Sequence, residues 1–352
     1  MAPTARPNSA DVSQGAQGQV SLVYMTEFDL IARYFTRPAN PAGRAAVGVG
    51  DDCALLNPSP GTQLAVSSDM LVEGRHFFSD VSPYSLGHKA LAVNLSDMAA
   101  CGATPIAFTL ALALPRIEEA WLQAFSSGLW ALADAHGCEL IGGDTTQGPL
   151  NICVTVFGEV PHGLALLRSG ARIGDDIYVS GSLGDAHLAL GALQGRIDLP
   201  PDVVKQARLR LEQPTPRVAL GIALRGIATS AIDLSDGLAG DLSHILKSSG
   251  VGARVNTEIT IKLIASTQHI DWARGQFDTQ KLLGAAFSGG DDYELAFTAA
   301  PSARQAVVAA CVNSQTPVTR IGVIESEPGL RLVDGQGRSV DGVFTSFDHF
   351  AA

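Results

Sequence analysis

The sequence predicts an α/β protein with mixed sheets that is divided into two domains. Three observations support this prediction. Strand-like and helix-like segments alternate from residue 25 onward, the 352-residue length suits two domains, and 46% of the residues are hydrophobic while only 17% are charged. We expect a flexible tail at 1–24, an N-terminal domain at 25–160 and a C-terminal domain at 161–352, with a Pro-His-Gly turn at the boundary.

The first 24 residues are polar and rich in Ala, Ser, Gln and Gly, and they lack the apolar stretch of a signal peptide. Met25 is therefore the candidate natural start. Thr26 is a typical N-cap residue, so we predict that it begins a helix through Phe35. Apolar periodicity predicts the other N-terminal elements, which are strands at 63–69, 106–114, 138–141 and 151–160 and helices at 82–101 and 118–136.

The second half continues the alternation, with Gly- and Pro-containing turns between segments. The Ser180-Gly-Ser-Leu-Gly184 turn leads from a strand into a helix. It is either a tight turn, which we favour, or a phosphate-binding loop at a helix N-terminus. The other predicted elements are strands at 177–180, 228–234, 293–298 and 318–324 and helices at 201–211, 216–225, 237–248 and 278–287.

The charge and cysteine content exclude several classes of protein. The formal net charge is −11 and the sequence pI is about 5.1, without a basic cluster, so we expect no nucleic-acid partner. No apolar run approaches the roughly 20 residues of a membrane span, so we expect no membrane partner. Five scattered cysteines without a Cys-x-x-Cys pair indicate neither a disulfide framework nor a zinc site, which suits a reducing cytoplasm.

The acidic residues are unusual in kind, because 24 are Asp and only 11 are Glu. Asp is common in turns and helix caps, but it is also a ligand of Mg²⁺. Many of these Asp residues stand beside Gly, Ser or Thr near the ends of apolar segments, where gathered like charges need a cation. Six such motifs occur, namely Gly48-Val-Gly-Asp-Asp52, Ser67-Ser-Asp69, Asn94-Leu-Ser-Asp97, Gly142-Gly-Asp-Thr-Thr146, Asp233-Leu-Ser-Asp-Gly237 and Ser288-Gly-Gly-Asp-Asp-Tyr-Glu294.

Asp97 is the most informative of these residues. It falls late in a predicted helix, beside the apolar stripe of Leu91, Leu95 and Met98, where a negative charge opposes the helix dipole. A metal ligand explains this position better than a solvated helix end does. The sequence lacks a Walker lysine, a kinase-type catalytic loop, a Gly-x-Ser-x-Gly elbow and a dinucleotide-binding Gly motif, so the acidic motifs favour polyphosphate bound through Mg²⁺.

From about residue 26 to residue 350 the chain resembles the thiamine-monophosphate kinase family. An ordered series of motifs carries the resemblance: residues 48–54, 67–70, 73–77, 94–103, 141–146, 232–237, 288–295 and the closing Phe-Asp-His-Phe at 347–350. The resemblance implies the two-domain fold of aminoimidazole ribonucleotide synthetase (PurM-like), with a homodimer formed through the N-terminal domain. It also implies that ATP and several Mg²⁺ ions bind, and that the γ-phosphoryl group passes to thiamine monophosphate, giving thiamine diphosphate and ADP.

The resemblance further implies a role for each matching residue. The implied Mg²⁺ ligands, with the two serines assisting, are Asp52, Ser67, Ser68, Asp69, Asp97, Asp144, Asp233 and Asp236. The implied nucleotide contacts are Gly143, Asp144, Arg168 and Ser235. The implied contacts to thiamine monophosphate are His76, Asp291 and Phe347; many relatives carry Glu at the position of Asp291, and Asp292 is the alternative contact.

The implied acceptor is itself a phosphate, which is largely ionised near pH 7 because its second pKa is about 6. No dedicated general base is then needed, and we predict direct in-line transfer without a phosphoenzyme. Three enzymes of the same fold are disfavoured. Selenophosphate synthetase needs a reactive Cys in a Gly-rich loop, the hydrogenase-maturation relative needs a C-terminal Cys, and aminoimidazole ribonucleotide synthetase lacks the Phe-Asp-His-Phe ending and the segment at 73–77. A catalytically silent nucleotide-binding protein and a multi-metal phosphohydrolase are the alternatives from other classes.

Overall fold

The computed structural model describes residues 25–38, 40, 43–267, 279–342 and 344. The tail at 1–24 and the candidate ligand residue Phe347 lie outside these described residues. Two large sheets hold most of the strands, and a small ribbon of β1 (Ala45–Val47) and β2 (Leu55–Leu56) precedes them. In the described part of the chain, no helix is both long enough and apolar enough to pass through a membrane.

The first sheet comes from the N-terminal half of the chain. Its strands are β3 (Thr62–Val72), β4 (Thr104–Leu114), β5 (Glu139–Gln147) and β6 (Asn151–Pro161), in the spatial order β3–β6–β4–β5. β6 pairs antiparallel with β3 and β4, whereas β4 and β5 are parallel. The helices of this half are α1 (Glu27–Leu30), which continues as a π-helical turn through Phe35, α2 (Pro83–Cys101) and α3 (Glu119–His136).

Local sequence explains where the helices begin and end. The Thr26 hydroxyl accepts a hydrogen bond from Asp29 N, and the Asp29 carboxylate accepts one from Thr26 N, so the predicted N-cap is a full capping box. α2 begins at Pro83, whose fixed φ suits the first helical turn, and it ends at Gly102 in the left-handed conformation.

The second sheet comes from the C-terminal half. Its strands are β7 (Asp176–Ser180), β8 (Ser230–Asp233), β9 (Gly252–Asn256), β10 (Leu295–Ala299), β11 (Val318–Glu325) and β12 (Gly329–Val333). They lie in the order β12–β9–β11–β7–β10–β8, and all pairs are antiparallel except β12 with β9. The helices of this half are α4 (Asp185–Leu193), α5 (Pro201–Glu212), α6 (Val218–Ala223), α7 (Leu238–Ser249), α8 (Thr257–Ile261), α9 (Thr279–Ser288) and α10 (Arg304–Asn313).

One hydrophobic cluster joins the two halves along α2. The buried Leu91 and Leu95 of α2 belong to the same cluster as Leu220 of α6 and Phe297 of β10. A second cluster lies within the C-terminal half alone. Burial of this much apolar surface is the main stabilising contribution to the fold, and it also fixes β3 relative to β8 because α2 contacts both strands.

The α/β class with mixed sheets is confirmed, and each predicted element is present with ends shifted by a few residues. The motifs at 67–69 and 142–146 are expected at strand ends, but they lie inside β3 and β5. Both strands pair with their neighbours beyond the apolar segments at 63–69 and 138–141 from which they are predicted. The sequence pattern predicts none of β1, β2, β9, β12, α8 and α10. α10 is hard to recognise because Val308 and Val312 on its surface are 62% and 69% exposed, which obscures the apolar stripe.

Candidate active site

The first part of the candidate site lies where β3 packs against the C-terminal half of α2. Ser67 and Asp69 point toward this helix, since they alternate with more exposed side chains along β3. The Ser67 hydroxyl donates to a carboxylate oxygen of Asp97, and Asp69 N donates to Asn94 Oδ1 at 3.1 Å. The buried Asn94 amide therefore aligns the strand with the helix that carries Asp97.

The second part comes from β8 and the loop after it. Ser96, which is fully buried on α2, donates from Oγ to Asp233 Oδ2 at 2.9 Å. The backbone N–H of Asp236 donates to Asp241 Oδ2 on α7 at 3.1 Å. Consecutive residues of α2 thus hold Asp97 beside β3 and Asp233 at the end of β8.

Burial and mutual repulsion make these carboxyl groups hard to ionise. Desolvation, with the nearby charges of Asp97 and Asp236 adding to it, raises the pKa of Asp69 to about 6. Desolvation also raises the pKa of Asp97 and holds that of Asp233 well above its usual range, with the Asp97 charge contributing to the latter. The pKa of Asp241 rises to about 7 for the same main cause. The positive charge of the protein near these four carboxyl groups is therefore too small to compensate their negative charges.

A cleft opens between β3, the end of α2, the segment before β7, and β8. It is lined by Ser67, Asp97, Arg168 and Asp233, so it contains predicted metal and nucleotide residues from both halves of the chain. The exposed Arg168 guanidinium lowers the pKa of Asp97 and Asp241, but burial outweighs this effect. Among the described residues that line the cleft, Arg168 is the one cationic side chain, so the carboxylates there are short of positive charge and a bound cation would be stabilised.

The donor atoms of this cleft suit Mg²⁺. Among the residues that the structure describes, no three His, Cys, Asp or Glu side chains are arranged so that they could hold a metal ion by themselves. This does not oppose a magnesium site, because Mg²⁺ commonly takes one or two carboxylates and completes its shell with water and phosphate oxygens. Asp69, Asp97 and Asp233 supply hard oxygen donors, and the raised pKa of each shows an uncompensated charge.

Five of the implied metal ligands do not line this cleft. Two of them are near it, since the Asp69 charge raises the pKa of Asp233 and the Asp236 charge raises that of Asp69; the other three are Asp52, Ser68 and Asp144. Strand register pairs Met70 with Cys153, Cys153 with Ala111, and Ala111 with Asp144, so the Asp144 side chain is on the opposite face of the sheet from Asp69. Ser68 is on that same opposite face, where its hydroxyl contacts Thr155 Oγ1 at 2.9 Å. Asp52 is exposed on the loop between β1 and β2.

Gly143, an implied nucleotide contact, is at a position that only glycine tolerates. Its φ is 145°, and a Cβ there would lie 1.8 Å from the carbonyl oxygen of Leu110 on β4. The glycine therefore permits the close pairing of β4 and β5. Ser235, the other implied contact from a loop, accepts a hydrogen bond at its carbonyl from Asp291 N at 2.9 Å.

A second cleft brings together two of the residues implied to bind thiamine monophosphate. His76 and Asp291 both line it, with Lys89 of α2 between apolar side chains that include Phe77 and Leu211. Val72 N donates to His76 Nδ1 at 3.0 Å, which places the ring proton of neutral His76 on Nε2. The cleft thus combines an apolar wall with a hydrogen-bond donor and a carboxylate, as recognition of a small organic ligand requires.

The two clefts are connected through the loop of residues 288–294. Besides the Asp291 contact to Ser235, Tyr293 N donates to Leu234 O and Leu234 N to Glu294 O, each at 2.8 Å. Asp291 has a φ of 66°, in the left-handed region that non-glycine residues seldom occupy. The backbone that presents Asp291 is therefore fixed against the Asp233–Asp236 loop.

The Ser180–Gly184 turn binds carboxylates of the protein itself. Gly184 N donates to both carboxylate oxygens of the buried Asp292, at 2.9 and 3.0 Å, and the Ser180 hydroxyl donates to Glu294 Oε2 at 2.6 Å. These groups occupy the donors that a phosphate would need, so the tight-turn interpretation is favoured. Asp292 is accordingly buried at this turn, whereas Asp291 lines the cleft.

Four polar residues of the site were not identified as candidates from the sequence, namely Lys89, Asn94, Ser96 and Asp241. All four are buried, and each is linked to a candidate residue by a hydrogen bond or an ion pair. Lys89 had a detectable signal, since it is one of five lysines in the chain and falls within a largely apolar helix. The other three are common residue types; the partners of Asn94 and Ser96 are 25 and 137 residues away, whereas Asp241 bonds to Asp236 only five residues before it.

Two family models match this chain, one in each half. The AIR synthase related protein N-terminal domain matches residues 50–160, and the corresponding C-terminal domain matches residues 172–335. Thiamine-monophosphate kinase of Salmonella typhimurium is 47% identical over 331 residues, which cover 92% of this chain and 98% of that protein.

Solved structures resemble the whole chain as well. The crystal structure of thiamine-monophosphate kinase from Stenotrophomonas maltophilia has a TM-score of 0.76 at 42% identity, and the match covers 91% of this chain and 98% of that one. AaThiL complexed with AMPPCP and TMP has a TM-score of 0.70 at 28% identity, covering 84% and 89% of the two chains. With its two AIR synthase related domains and this extent of identity, the chain belongs to the thiamine-monophosphate kinase family.

Proposed function

We propose that this protein transfers the γ-phosphoryl group of ATP to thiamine monophosphate, giving thiamine diphosphate and ADP, in a direct reaction that requires Mg²⁺. One observation carries the proposal: an acidic cleft lined by Asp97 and Asp233, with Asp69 close enough to interact with their charges, is joined by a hydrogen-bonded loop to a second cleft containing His76 and Asp291. Polyphosphate and an organic phosphate are the two ligands that such a pair of clefts suits.

The chain's own residues hold the two substrates and neutralise charge. Asp69, Asp97 and Asp233 would hold Mg²⁺, which supplies positive charge to the phosphate oxygens when bound. Arg168 lies on the same cleft and is suited to pair with phosphate oxygens in a bidentate manner. Ser235 is proposed as a further nucleotide contact, whereas Gly143 and Asp144 are assigned to the nucleotide by family resemblance alone, because the Asp144 side chain lies on the face of the sheet opposite Asp69.

The second cleft positions the acceptor. His76 and Asp291 line the same cleft, and we assign His76 Nε2 to an anionic group of the acceptor and the Asp291 carboxylate to a cationic or amino group of the thiamine moiety. We place Phe347 with them by family resemblance alone. The acceptor phosphate is ionised near pH 7 and attacks without help from a general base.

The stereochemistry of the reaction tests direct transfer. With ATP that carries a chiral γ-phosphate, we expect inversion of configuration at phosphorus, and retention would rule out a single in-line transfer.

We also propose a homodimer that forms through the first sheet. The face of this sheet opposite α2 exposes Leu64, Val66 and Met70 by 45%, 58% and 52%, an apolar strip that a second copy would cover. Ser68 and Asp144 lie on the same face, so the dimer would place both at its interface. We further propose a domain boundary near residue 160. We also propose a cytoplasmic location, which is supported by the five cysteines, since all of them are free of disulfides.

The decisive experiment incubates the protein with Mg²⁺, ATP and thiamine monophosphate and measures thiamine diphosphate and ADP. We expect both products in equal amounts, and a decrease of roughly 100-fold or more for Asp97→Ala, because charge stabilisation provides most of the catalysis. Asp134→Ala is the matched control, since Asp134 is an exposed helical residue that pairs with Arg37 at the surface. ADP without thiamine diphosphate would indicate a phosphohydrolase, and full activity of Asp97→Ala would contradict the proposed site.

A further inference from the structure

Lys89 is a buried cation at the boundary between the two halves of the chain. Its side chain is 4% exposed, and its ammonium group lies 2.7 Å from Asp291 Oδ1 and 3.4 Å from the carbonyl oxygen of His76. Lys89 belongs to α2, whereas Asp291 belongs to the loop that follows α9, 202 residues further along the chain. One side chain therefore contacts both residues that are proposed to bind thiamine monophosphate.

Stability alone does not account for this arrangement. Removing a lysine from water is costly, and a buried ion pair seldom stabilises a fold more than well-packed apolar residues of the same size would. The surrounding positions of α2, among them Leu86, Ala90 and Leu91, are apolar and nearly inaccessible to solvent. An apolar side chain would suit position 89 on packing grounds, so the ammonium group points to a role in the cleft.

The Asp291 carboxylate is oriented by two constraints of different kinds. Its backbone is held in the left-handed region by the hydrogen bond from Asp291 N to Ser235 O, and its Oδ1 is held by Lys89. The Asp291 side chain nevertheless remains 31% exposed, on the cleft that it shares with His76. Lys89 therefore fixes one carboxylate oxygen while the side chain still faces the cleft.

We infer that Lys89 is a positioning residue for thiamine monophosphate, which orients the Asp291 carboxylate toward the ligand and does not itself contact the phosphate being transferred. This inference rests on the proposed function, because it takes thiamine monophosphate as the ligand of the second cleft. It adds a specificity element to that cleft. Since α2 also carries Asp97, the same helix would position both the acceptor and the metal-binding carboxylate.

A double-mutant cycle on ligand binding tests this inference. Binding of thiamine monophosphate and of Mg²⁺ with a non-hydrolysable ATP analogue is measured by calorimetry for the full-length wild type, Lys89→Met, Asp291→Asn and the double variant. We expect each single change to weaken thiamine monophosphate binding by roughly tenfold or more, with the double variant no weaker than Asp291→Asn. Binding of the ATP analogue should change by less than about twofold, which a general loss of structure would not allow.

Other results would overturn the inference. Unchanged binding in Lys89→Met would show that Asp291 needs no orientation, and additive losses would show that Lys89 contacts the ligand on its own account. A wild type that binds thiamine monophosphate but forms no thiamine diphosphate would refute the proposed function and leave the role of Lys89 intact. A wild type that binds no thiamine monophosphate would refute both.

Two comparisons exclude a trivial loss of folding. Lys247→Met removes an exposed lysine from α7 and should leave binding of both ligands unchanged. The double variant removes both charges of the pair, so it should unfold at a higher temperature than Asp291→Asn, in which Lys89 is left buried without its carboxylate. Thermal unfolding of all five proteins accompanies the binding measurements.

Discussion

At the scale of single residues, the site depends on carboxylates that the protein keeps close together at a cost in free energy. Asp69 has a pKa raised to about 6, and burial raises the pKa of Asp97 and Asp233 as well. Small polar side chains hold these groups in place, with Ser67 bonded to Asp97 and Ser96 bonded to Asp233. Such an arrangement is stabilised when a cation binds, which gives it an observable dependence on Mg²⁺ and pH.

We expect Mg²⁺ to raise the melting temperature more at about pH 7.5 than at about pH 5.5. A raised folded-state pKa means that the folded protein retains protons that the unfolded chain releases near pH 3.8, so the metal-free protein loses this part of its stability as the pH rises from about 4 to about 6. Mg²⁺ binds the ionised groups and offsets the loss. Scanning calorimetry at both pH values, with and without Mg²⁺, measures the difference.

The control for this prediction is Asp69→Asn, which should show a smaller change in the Mg²⁺ effect between the two pH values. Three half-buried histidines also add to the pH dependence, because desolvation lowers the pKa of His88, His136 and His187. Their contribution is the same with and without Mg²⁺ and cancels in the comparison. An equal Mg²⁺ effect at the two pH values would argue against carboxylate ligands with raised pKa.

A second residue-scale prediction concerns Gly143. Gly143→Ala should lower the free energy of unfolding by about 2–4 kcal/mol, because its Cβ would collide with the Leu110 carbonyl and its φ is positive. Urea denaturation measures the loss. The neighbouring Gly142→Ala is the matched control, since a Cβ there meets no atom within 4 Å. Similar losses for the two variants would mean that the β4–β5 contact is not the reason for glycine.

At the scale of elements, Glu294 connects several segments at the start of β10. Its fully buried carboxylate accepts hydrogen bonds from Arg210 of α5 at 2.8 Å and from Arg217, just before α6, at 2.6 Å. The Ser180 hydroxyl at the end of β7 donates to it as well. These contacts fix α5, α6 and the Ser180–Gly184 turn against the sheet that carries the Asp291 loop.

We expect Glu294→Gln to destabilise the protein by about 3–5 kcal/mol, because Arg210 and Arg217 would then lose the buried carboxylate that compensates their positive charges. Chemical denaturation provides the measurement. Glu325→Gln is a suitable comparison, since Glu325 also pairs with two arginines but is 30% exposed, and it should cost less than about 1 kcal/mol. A loss at Glu294 no larger than that at Glu325 would show that the network contributes little.

At the scale of the whole molecule, the first sheet has a covered face and an open one. Its inner face packs on α2 and α3, whereas the outer face exposes Leu64, Val66 and Met70 in a row along β3. A homodimer would bury this strip. Val66→Glu should therefore convert the protein to a monomer in analytical ultracentrifugation, because a charge placed in an apolar interface is strongly unfavourable. A wild-type protein that sediments as a monomer at micromolar concentration would refute the proposed dimer.

The secondary-structure elements that are predictable from the sequence are those whose pattern lies within a few neighbouring residues. The Thr26 cap, the helix after Pro83 and the strands 151–160 and 318–324 follow from residue types within a few positions of one another, and all are present. The sequence does not predict α10, because exposed valines interrupt its apolar stripe. It does not predict β9 and β12 either, because they pair across a long separation in the chain.

The sequence by itself determined the α/β class, the order of its elements and the acidic, oxygen-rich character of the site, because periodicity, turn residues and composition are properties of neighbouring positions. Only the tertiary structure decided which candidate residues meet. It brought Asp69, Asp97 and Asp233 to one place, put Ser68 and Asp144 on the opposite face of the sheet, and paired Lys89 with Asp291. The proximity of these residues depends on strand register and on helix packing between segments that are far apart in the sequence, and neither can be predicted from a local pattern.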